Sequence, residues 1–86
     1  MEKKTFLLKV GEQISFRSNS IAQVVKGVIM AIWWEGPKGE AIFYIEEPKN
    51  PPPGLMVEIE YPRLGLKLKN RFSDLKKILQ HQVVNN

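Results

Sequence analysis

Two stretches near the start of the chain alternate between apolar and polar residues, as a β-strand with one buried face does. The first stretch covers residues 5–10 and the second covers residues 13–17, and Gly11 and Glu12 lie between them as a turn. A short N-terminal hairpin is therefore predicted, followed by a break in the pattern at residues 18–20.

Residues 21–34 allow two interpretations. Their apolar positions fit helical spacing, and Ser20 is a suitable N-cap for a short helix over residues 20–26. The many β-branched residues, Gly27 and the two tryptophans at the end of the segment favour a strand instead. Both alternatives stay open for residues 20–27, whereas a strand is expected from residue 28 onward.

A tight turn is predicted at residues 35–40, where a proline and two glycines occur together. Residues 28–34 and 40–46 are therefore expected to pair as a hairpin. Residues 48–54 contain four prolines. Because proline lacks a backbone donor and has a fixed φ, this segment is predicted to be a stiff loop.

Residues 55–61 and 66–70 alternate most regularly, and residues 62–65 turn the chain between them. They are predicted to form a second antiparallel hairpin. Pairing Ile59 with Leu68 sets glutamates opposite lysines, a combination that stabilises neighbouring strands. The pairs expected in this register are Glu60 with Lys67 and Glu58 with Lys69.

The last element is predicted to be a helix. Ser73 is a good N-cap, and the negative charge of Asp74 suits the positive end of the helix dipole. An apolar stripe at helical spacing is expected to pack on one face of the sheet, and it consists of Leu75, Ile78 and Leu79. The side chains expected to face solvent are those of Lys76, Lys77 and His81.

Together these elements predict a β-dominated α+β fold in one domain over residues 1–86. The expected form is a small, strongly bent antiparallel sheet or open barrel with a C-terminal helix. At the level of fold this pattern is similar to small SH3-like or OB-like barrels, and no stretch carries the motif of a known family. The side chains expected in the interior are Phe6, Leu8, Ile14, Phe16, Val28, Ile32, Phe43, Ile45, Val57, Ile59, Leu66 and Leu68.

Composition limits the classes of protein that this chain fits. The 86 residues are 43% hydrophobic and 26% charged, which is typical of a folded globular domain. The absence of cysteine excludes disulfides and thiolate sites, and it favours a reducing, cytoplasmic location. No apolar run approaches the roughly 20 residues of a membrane helix, so no membrane role is expected.

The sequence offers little for catalysis. His81 is the only histidine, and a single histidine without cysteine does not build the usual zinc site. Glu46 and Glu47 are adjacent, so as strand residues they would point apart instead of acting together. The chain is therefore expected to be non-enzymatic, with no metal, cofactor or small-molecule ligand indicated.

Charge is distributed unevenly along a chain whose net charge is +4. Residues 61–86 hold six basic residues and one acidic residue, whereas residues 35–60 hold six acidic and two basic residues. Phosphate binding needs several cations on one surface. The C-terminal strand and helix therefore form a candidate nucleic-acid-binding surface made of Arg63, Lys67, Lys69, Arg71, Lys76 and Lys77. In the register above, two of these lysines would be partly neutralised by glutamates.

A second candidate surface comes from adjacent aromatic residues. Trp33 precedes Trp34, and Phe43 precedes Tyr44. Since adjacent strand residues point to opposite faces, one member of each pair is expected inside, and the other is either covered by the helix or exposed. Exposed rings of this kind form protein interfaces or stack on bases. The candidate interface residues are Trp33, Trp34 and Tyr44.

These observations favour a small non-enzymatic binding module. Nucleic-acid binding through the basic C-terminal surface is the first hypothesis. The alternative is a protein–protein adaptor or a homodimerising subunit that uses the aromatic surface. The two hypotheses differ in their response to salt, because a nucleic-acid complex releases counterions and weakens steeply as salt rises.

Overall fold

A computed structural model describes residues 7–18 and 23–84, and within these ranges all side chains except those of residues 18, 23 and 80–84. The described chain forms five antiparallel strands and a C-terminal helix, and the sheet does not close into a barrel. The predicted β-dominated α+β class is therefore confirmed, in its open-sheet form. The elements are β1 (Gln13–Ser18), β2 (Gln23–Glu35), β3 (Ala41–Tyr44), β4 (Met56–Tyr61), β5 (Leu66–Arg71) and α1 (Phe72–Val84).

Strand β2 organises the sheet because it is 13 residues long and pairs along both of its edges. Its first half pairs with β1, and its last four residues pair with β3. Strand β4 pairs with the middle of β2 and overlaps both of these pairings, so β4 lies on the opposite edge from β1 and β3. Strand β5 then pairs with β4 and ends the sheet on that side.

Of the two alternatives left open for residues 20–27, the strand is found for residues 23–27, which lie in β2, and residues 20–22 lie outside the described residues. The β-branched side chains of this segment favour an extended backbone. Gly27 meets a further requirement of the sheet, because a Cβ there would lie 2.5 Å from Cγ2 of Ile59. Glycine at this position therefore allows a close approach between β2 and the core side chains of β4.

The predicted N-terminal hairpin is also wrong. Residues 7–10 do not pair with β1, and Lys9 instead forms an isolated antiparallel bridge with Glu46. Strand β1 pairs with the first half of β2. Gly11 has a φ of 93°, so the chain does turn where the sequence suggests, but the two arms of the turn find different partners. Residues 5 and 6 lie outside the described residues.

A β-bulge in β2 decides which side chains face the core. Ile29 pairs with Ile59 but Ala31 pairs with Glu58, so Met30 is an extra residue in β2. Because side chains alternate strictly along a regular strand, one extra residue exchanges the faces of everything that follows it. Odd-numbered residues of β2 face the core before the bulge, and even-numbered residues face it afterwards.

The second predicted hairpin is confirmed together with its register. Strands β4 and β5 pair as expected, with Ile59 opposite Leu68, Glu60 opposite Lys67 and Glu58 opposite Lys69. The chain then enters α1 directly, and the Phe72 N–H donates to the carbonyl oxygen of Leu55 at 2.9 Å. Since α1 begins at Phe72, Ser73 lies within the first turn and not at the N-cap that the sequence predicts.

The core lies between the sheet and α1. The expected interior position is confirmed for five residues, Leu8, Ile14, Ile32, Val57 and Ile59, and Phe16 is half-buried against them. Residues 7–10 precede β1 and belong to no strand, yet they contribute Leu8 to this core. The other members of the core cluster are Ile29, Leu55, Tyr61, Phe72, Leu75 and Leu79.

Several other residues expected in the interior are not there. Phe43 is 69% exposed and Ile45 is 84% exposed. Leu66 and Leu68 are half exposed because β5 is an edge strand with solvent beside it. Val28 is half-buried on the face opposite the core, because the odd-numbered residues of this part of β2 face inward. Phe6 lies outside the described residues.

The helix packs through a narrower stripe than its sequence predicts. Leu75 and Leu79 are buried as expected, but Ile78 is 41% exposed and Phe72 completes the stripe in its place. Lys76 is half-buried instead of facing solvent, whereas Lys77 is exposed as expected. The side chain of His81 is not among those described. Among the described residues, no helix combines the length and apolar character that a bilayer crossing requires.

Candidate functional site

The two faces of the sheet differ in what covers them. Helix α1 and Leu8 pack on the face that holds the core, which is here called the core face. The opposite face, here called the open face, carries the alternate side chains of the strands. Among the described residues, its apolar members include Val24, Val28, Ala31, Trp33, Phe43 and Met56, and the charged residues of its β4–β5 half are Glu58, Glu60, Lys67, Lys69 and Arg71.

Trp33 and Phe43 form an aromatic pair on the open face. They are opposite each other on β2 and β3. The Gly36 N–H donates to the carbonyl oxygen of Glu40 at 2.8 Å, so the alternation of the ladder makes Trp33 and Phe43 a non-hydrogen-bonded pair, the kind with closer side chains. Their ring centroids lie 6.3 Å apart with 26° between the ring planes. Trp33 is only 8% exposed, whereas Phe43 is 69% exposed.

Lys69 lies beside this aromatic pair. Its Nζ is 5.9 Å from the centroid of a Trp33 ring, which is within the range of a cation–π contact. The register sets Glu58 opposite Lys69, but these two described side chains form no ion pair within 4 Å. The Lys69 charge therefore lies over an aromatic surface and is not neutralised by direct contact with the neighbouring strand.

Three of the predicted cationic residues share the open face. Lys67, Lys69 and Arg71 occupy alternate positions of β5 and are all exposed. Alternate residues of a strand are spaced by roughly 7 Å, so the three side chains form a row along the sheet edge. The row ends at Arg71, which lies opposite Met56, the residue of β4 that pairs with Trp33.

The other three predicted cations lie elsewhere. Arg63 is in the turn between β4 and β5, and Lys76 and Lys77 are on α1, which covers the core face. The Nζ of Lys76 is 3.1 Å from Oε1 of Glu47, and both side chains of this ion pair are largely buried. The six residues predicted as one strand–helix surface are therefore divided between the open face, a turn and the helix layer.

The aromatic residues of the predicted protein interface are divided as well. Trp34 and Tyr44 are half-buried against the core, on the core face. Trp34 donates a hydrogen bond from Nε1 to the carbonyl oxygen of Pro53 at 3.2 Å, so it also holds the proline-rich loop. Trp33 lies on the open face. The exposed ring that accompanies Trp33 is Phe43, which the sequence-based interpretation placed in the interior.

A groove of about 670 Å³ runs between the proline-rich loop and the start of α1, and its walls include Pro51, Leu55 and Arg71. No cluster of three or more metal-ligating side chains occurs among the described residues. Burial raises the pKa of Tyr61, because removing the phenol from water disfavours its charged form, but this side chain belongs to the core.

Two residues of the open face, Phe43 and Met56, were missed by sequence reasoning. For Phe43 the usable signal was its pairing with Trp33, since opposite residues in a ladder share a face. The resulting surface offers an accessible aromatic ring with cations beside it. It can hold a planar group against Phe43 and an anionic group near Lys69 and Arg71. Comparisons with protein-family models, with curated proteins and with solved structures found no match to this chain.

Proposed function

We propose that this chain is a non-enzymatic module that binds single-stranded nucleic acid on the open face. One base stacks on the exposed ring of Phe43, and the phosphates follow the row of Lys67, Lys69 and Arg71. The single observation that carries the proposal is the exposure of Phe43, 69%, beside a nearly buried Trp33 and the ammonium group of Lys69.

The aromatic pair supports nucleic acid over other anions. Trp33 contacts one part of the Phe43 ring, and most of the remaining ring surface meets solvent. Stacking of a base on such a ring contributes about 1–3 kcal/mol and requires no particular base. A phosphate or carboxylate without a ring would use the cations alone and would leave the most distinctive feature of this face unused.

The same geometry favours a single strand over a duplex. The bases of a duplex are stacked on each other, so their faces are not available to a ring on a sheet surface. The open face is also a broad sheet surface and not a helix or ribbon that enters a major groove. A flexible single strand is able to place a base on Phe43 while its backbone follows β5.

The charges of the open face support an anionic ligand. Counting only the described side chains, its register gives it five cations, namely Arg17, Lys26, Lys67, Lys69 and Arg71. On the same basis it carries three carboxylates, namely Glu35, Glu58 and Glu60. The cationic row lies on the outermost strand and the two nearest carboxylates lie one strand inward. A ligand along β5 therefore meets the cations first.

The test is a fluorescence anisotropy titration with labelled single-stranded and double-stranded oligonucleotides of mixed sequence. We expect micromolar or tighter binding to the single strand and clearly weaker binding to the duplex. Three phosphate contacts give a salt slope of about −2 for a single strand, so affinity should fall roughly 20-fold between about 50 and 200 mM salt.

Variants separate the open face from the rest of the molecule. Phe43→Ala should weaken binding of the single strand about 10-fold, while Phe43→Tyr, which keeps the ring, should retain affinity. Lys77→Ala removes one positive charge from an exposed site on α1 and is the matched control for Lys69→Ala. Equal losses for Lys77→Ala and Lys69→Ala, or no binding of any oligonucleotide at low salt, would overturn the proposal.

A further inference from the structure

Strand β3 has an unpaired edge. In the ladder between β2 and β3, the even-numbered residues of β3 direct their backbone groups toward β2, as the Gly36–Glu40 hydrogen bond shows. The N–H and C=O groups of Ala41 and Phe43 therefore point away from β2. Within the described chain, β3 pairs with no strand other than β2, and neither residue has another backbone partner.

The side chains along this edge are apolar and uncharged. Ile42 is 47% exposed and Phe43 is 69% exposed. Ile45, just after the strand, is 84% exposed, although its carbonyl oxygen accepts a hydrogen bond from the Val10 N–H at 2.8 Å. Exposed apolar strand edges are places where another strand pairs readily, and proteins usually protect them with charges, prolines or a covering element. Residues 41–45 contain neither a charge nor a proline.

The other two outer strands of the described sheet are protected in the usual way. Strand β5 carries Lys67, Lys69 and Arg71, which oppose the approach of a like strand. Strand β1 carries Arg17 and polar residues at its open-face positions. The contrast makes β3 the strand edge of this sheet that is suited to pairing.

We infer that a second copy of this chain pairs with this edge, β3 against β3, in an antiparallel two-fold arrangement centred on Ile42. In that register Ala41 of each copy lies opposite Phe43 of the other, and each such pair exchanges two backbone hydrogen bonds. The four bonds use the N–H and C=O groups of Ala41 and Phe43 in both copies, which are the groups that β2 leaves unpaired.

A second copy fits this edge better than a charged partner would. A two-fold contact sets a strand against itself, so it requires a strand that does not repel its own copy. The neutral sequence of residues 41–45 meets that condition, whereas β5 does not. The contact would also cover Phe43 only along one side, because side chains of the open face project from the sheet and not along its plane.

The pairing goes beyond the proposed function and does not depend on it. Its axis is perpendicular to the sheet, so the open faces of both copies lie on the same side of one continuous ten-stranded sheet, twice the five strands of one copy. The two Trp33–Phe43 pairs then lie next to each other across the axis. A ligand that needs more than one aromatic ring would find both rings on a single surface.

The test uses the symmetry of the contact. Sedimentation equilibrium of the full chain from about 5 to about 500 µM should show a reversible monomer–dimer equilibrium. Ile42→Lys sets two ammonium groups opposite each other and should abolish the dimer, and Ile42→Glu should do the same. An equimolar mixture of the two variants should restore a dimer, because the facing charges are then opposite.

Leu68→Lys is the matched control, since Leu68 on β5 is 46% exposed and Ile42 is 47% exposed. It should leave the dimer unchanged. Thermal melts establish that each variant is folded, and Phe43 is intact in all of them, so oligonucleotide binding is measured separately. A wild-type chain that stays monomeric at every concentration, or a dimer that survives Ile42→Lys, would overturn the inference.

Discussion

Lys76 of α1 and Glu47, which follows β3, form an ion pair with 3.1 Å between Nζ and Oε1. The same Glu47 oxygen accepts a hydrogen bond from the Leu8 N–H at 2.7 Å. One carboxylate therefore joins the helix, the segment after β3 and the segment before β1. The segments after β3 and before β1 also join through backbone hydrogen bonds, and the Glu47 carboxylate adds the helix to this pair over the core.

Replacing Glu47 should destabilise the protein more than an ordinary surface change would. Glu47→Ala leaves the Lys76 charge and the Leu8 N–H without this acceptor, and we expect the free energy of unfolding to fall by roughly 2–3 kcal/mol. Glu46→Ala is the matched control, because Glu46 is adjacent and exposed, and it should change little. Urea unfolding followed by circular dichroism measures both. Equal midpoints for the two variants would contradict the role assigned to Glu47.

Gly27→Ala should be costly although alanine is small. The added Cβ would lie 2.5 Å from Cγ2 of Ile59 and 3.0 Å from the Tyr61 ring, both within the packed core. We expect a loss of about 1–3 kcal/mol, as in other overpacked cores. In the double variant Gly27→Ala with Ile59→Ala, the smaller side chain at position 59 makes room for the added Cβ. The double variant should therefore lose less unfolding free energy than the two single variants lose together. Strict additivity in denaturant unfolding would exclude this steric explanation.

Tyr61 should make stability depend on pH above its ordinary pKa. Burial raises the pKa of Tyr61 above its usual value of 10.0. As pH rises past about 10, the unfolded chain loses the phenol proton while the folded chain keeps it, so the unfolded state binds fewer protons and unfolding becomes easier. Tyr61→Phe lacks this contribution. The difference in unfolding free energy between wild type and Tyr61→Phe should therefore be constant below pH 10 and should shift against the wild type above it.

The two tryptophans provide internal probes of the proposed binding face. Trp33 lies beside Phe43 on the open face, whereas Trp34 lies against the core and the proline-rich loop. In a Trp34→Phe protein, addition of a single-stranded oligonucleotide should quench the remaining Trp33 emission, because bound bases lie next to it. In a Trp33→Phe protein the emission of Trp34 should change little. Quenching confined to Trp34 would place the ligand on the wrong face.

The sequence predicts one part of the fold in detail. The regular alternation in β4 and β5 identifies both strands, and the opposed charges identify their register, Ile59 against Leu68. Two signals agree here. Burial requires the apolar residues of both strands to share one face, and the register that pairs the glutamates with the lysines places them so. Alternation also places Lys67, Lys69 and Arg71 together, and the structure retains them on one face.

The N-terminal segment shows what alternation alone does not determine. A period of two identifies a strand and its buried face but not the strand beside it. Residues 7–10 and β1 both alternate and are joined by a turn, yet they do not pair with each other. Strand β1 pairs with β2, the next strand, whereas Lys9 forms a bridge with Glu46, far along the chain. Their partners are set by how α1 and Leu8 close the core, which no short window of sequence contains.

Of the candidate site, the sequence predicts the cationic row of Lys67, Lys69 and Arg71 but not the exposed ring of Phe43. Whether Phe43 or Tyr44 faces the core depends on the residue of β2 that each one opposes, and this depends on the bulge at Met30. No glycine or proline marks Met30 as an extra residue. Without a bulge, the inward face of β1 and the first half of β2 would continue to Trp33 and its partner Phe43, whereas the bulge turns both to the open face.

That extra residue also bears on how the chain tolerates changes in length. Removing Met30 would leave Ile29 and Ala31 as neighbours on a regular strand, with every later side chain still on its present face. At a position of β2 in regular pairing, a deletion would instead move the side chains that follow it to the opposite face of the sheet. A variant that lacks Met30 is therefore expected to keep the same two-sided sheet.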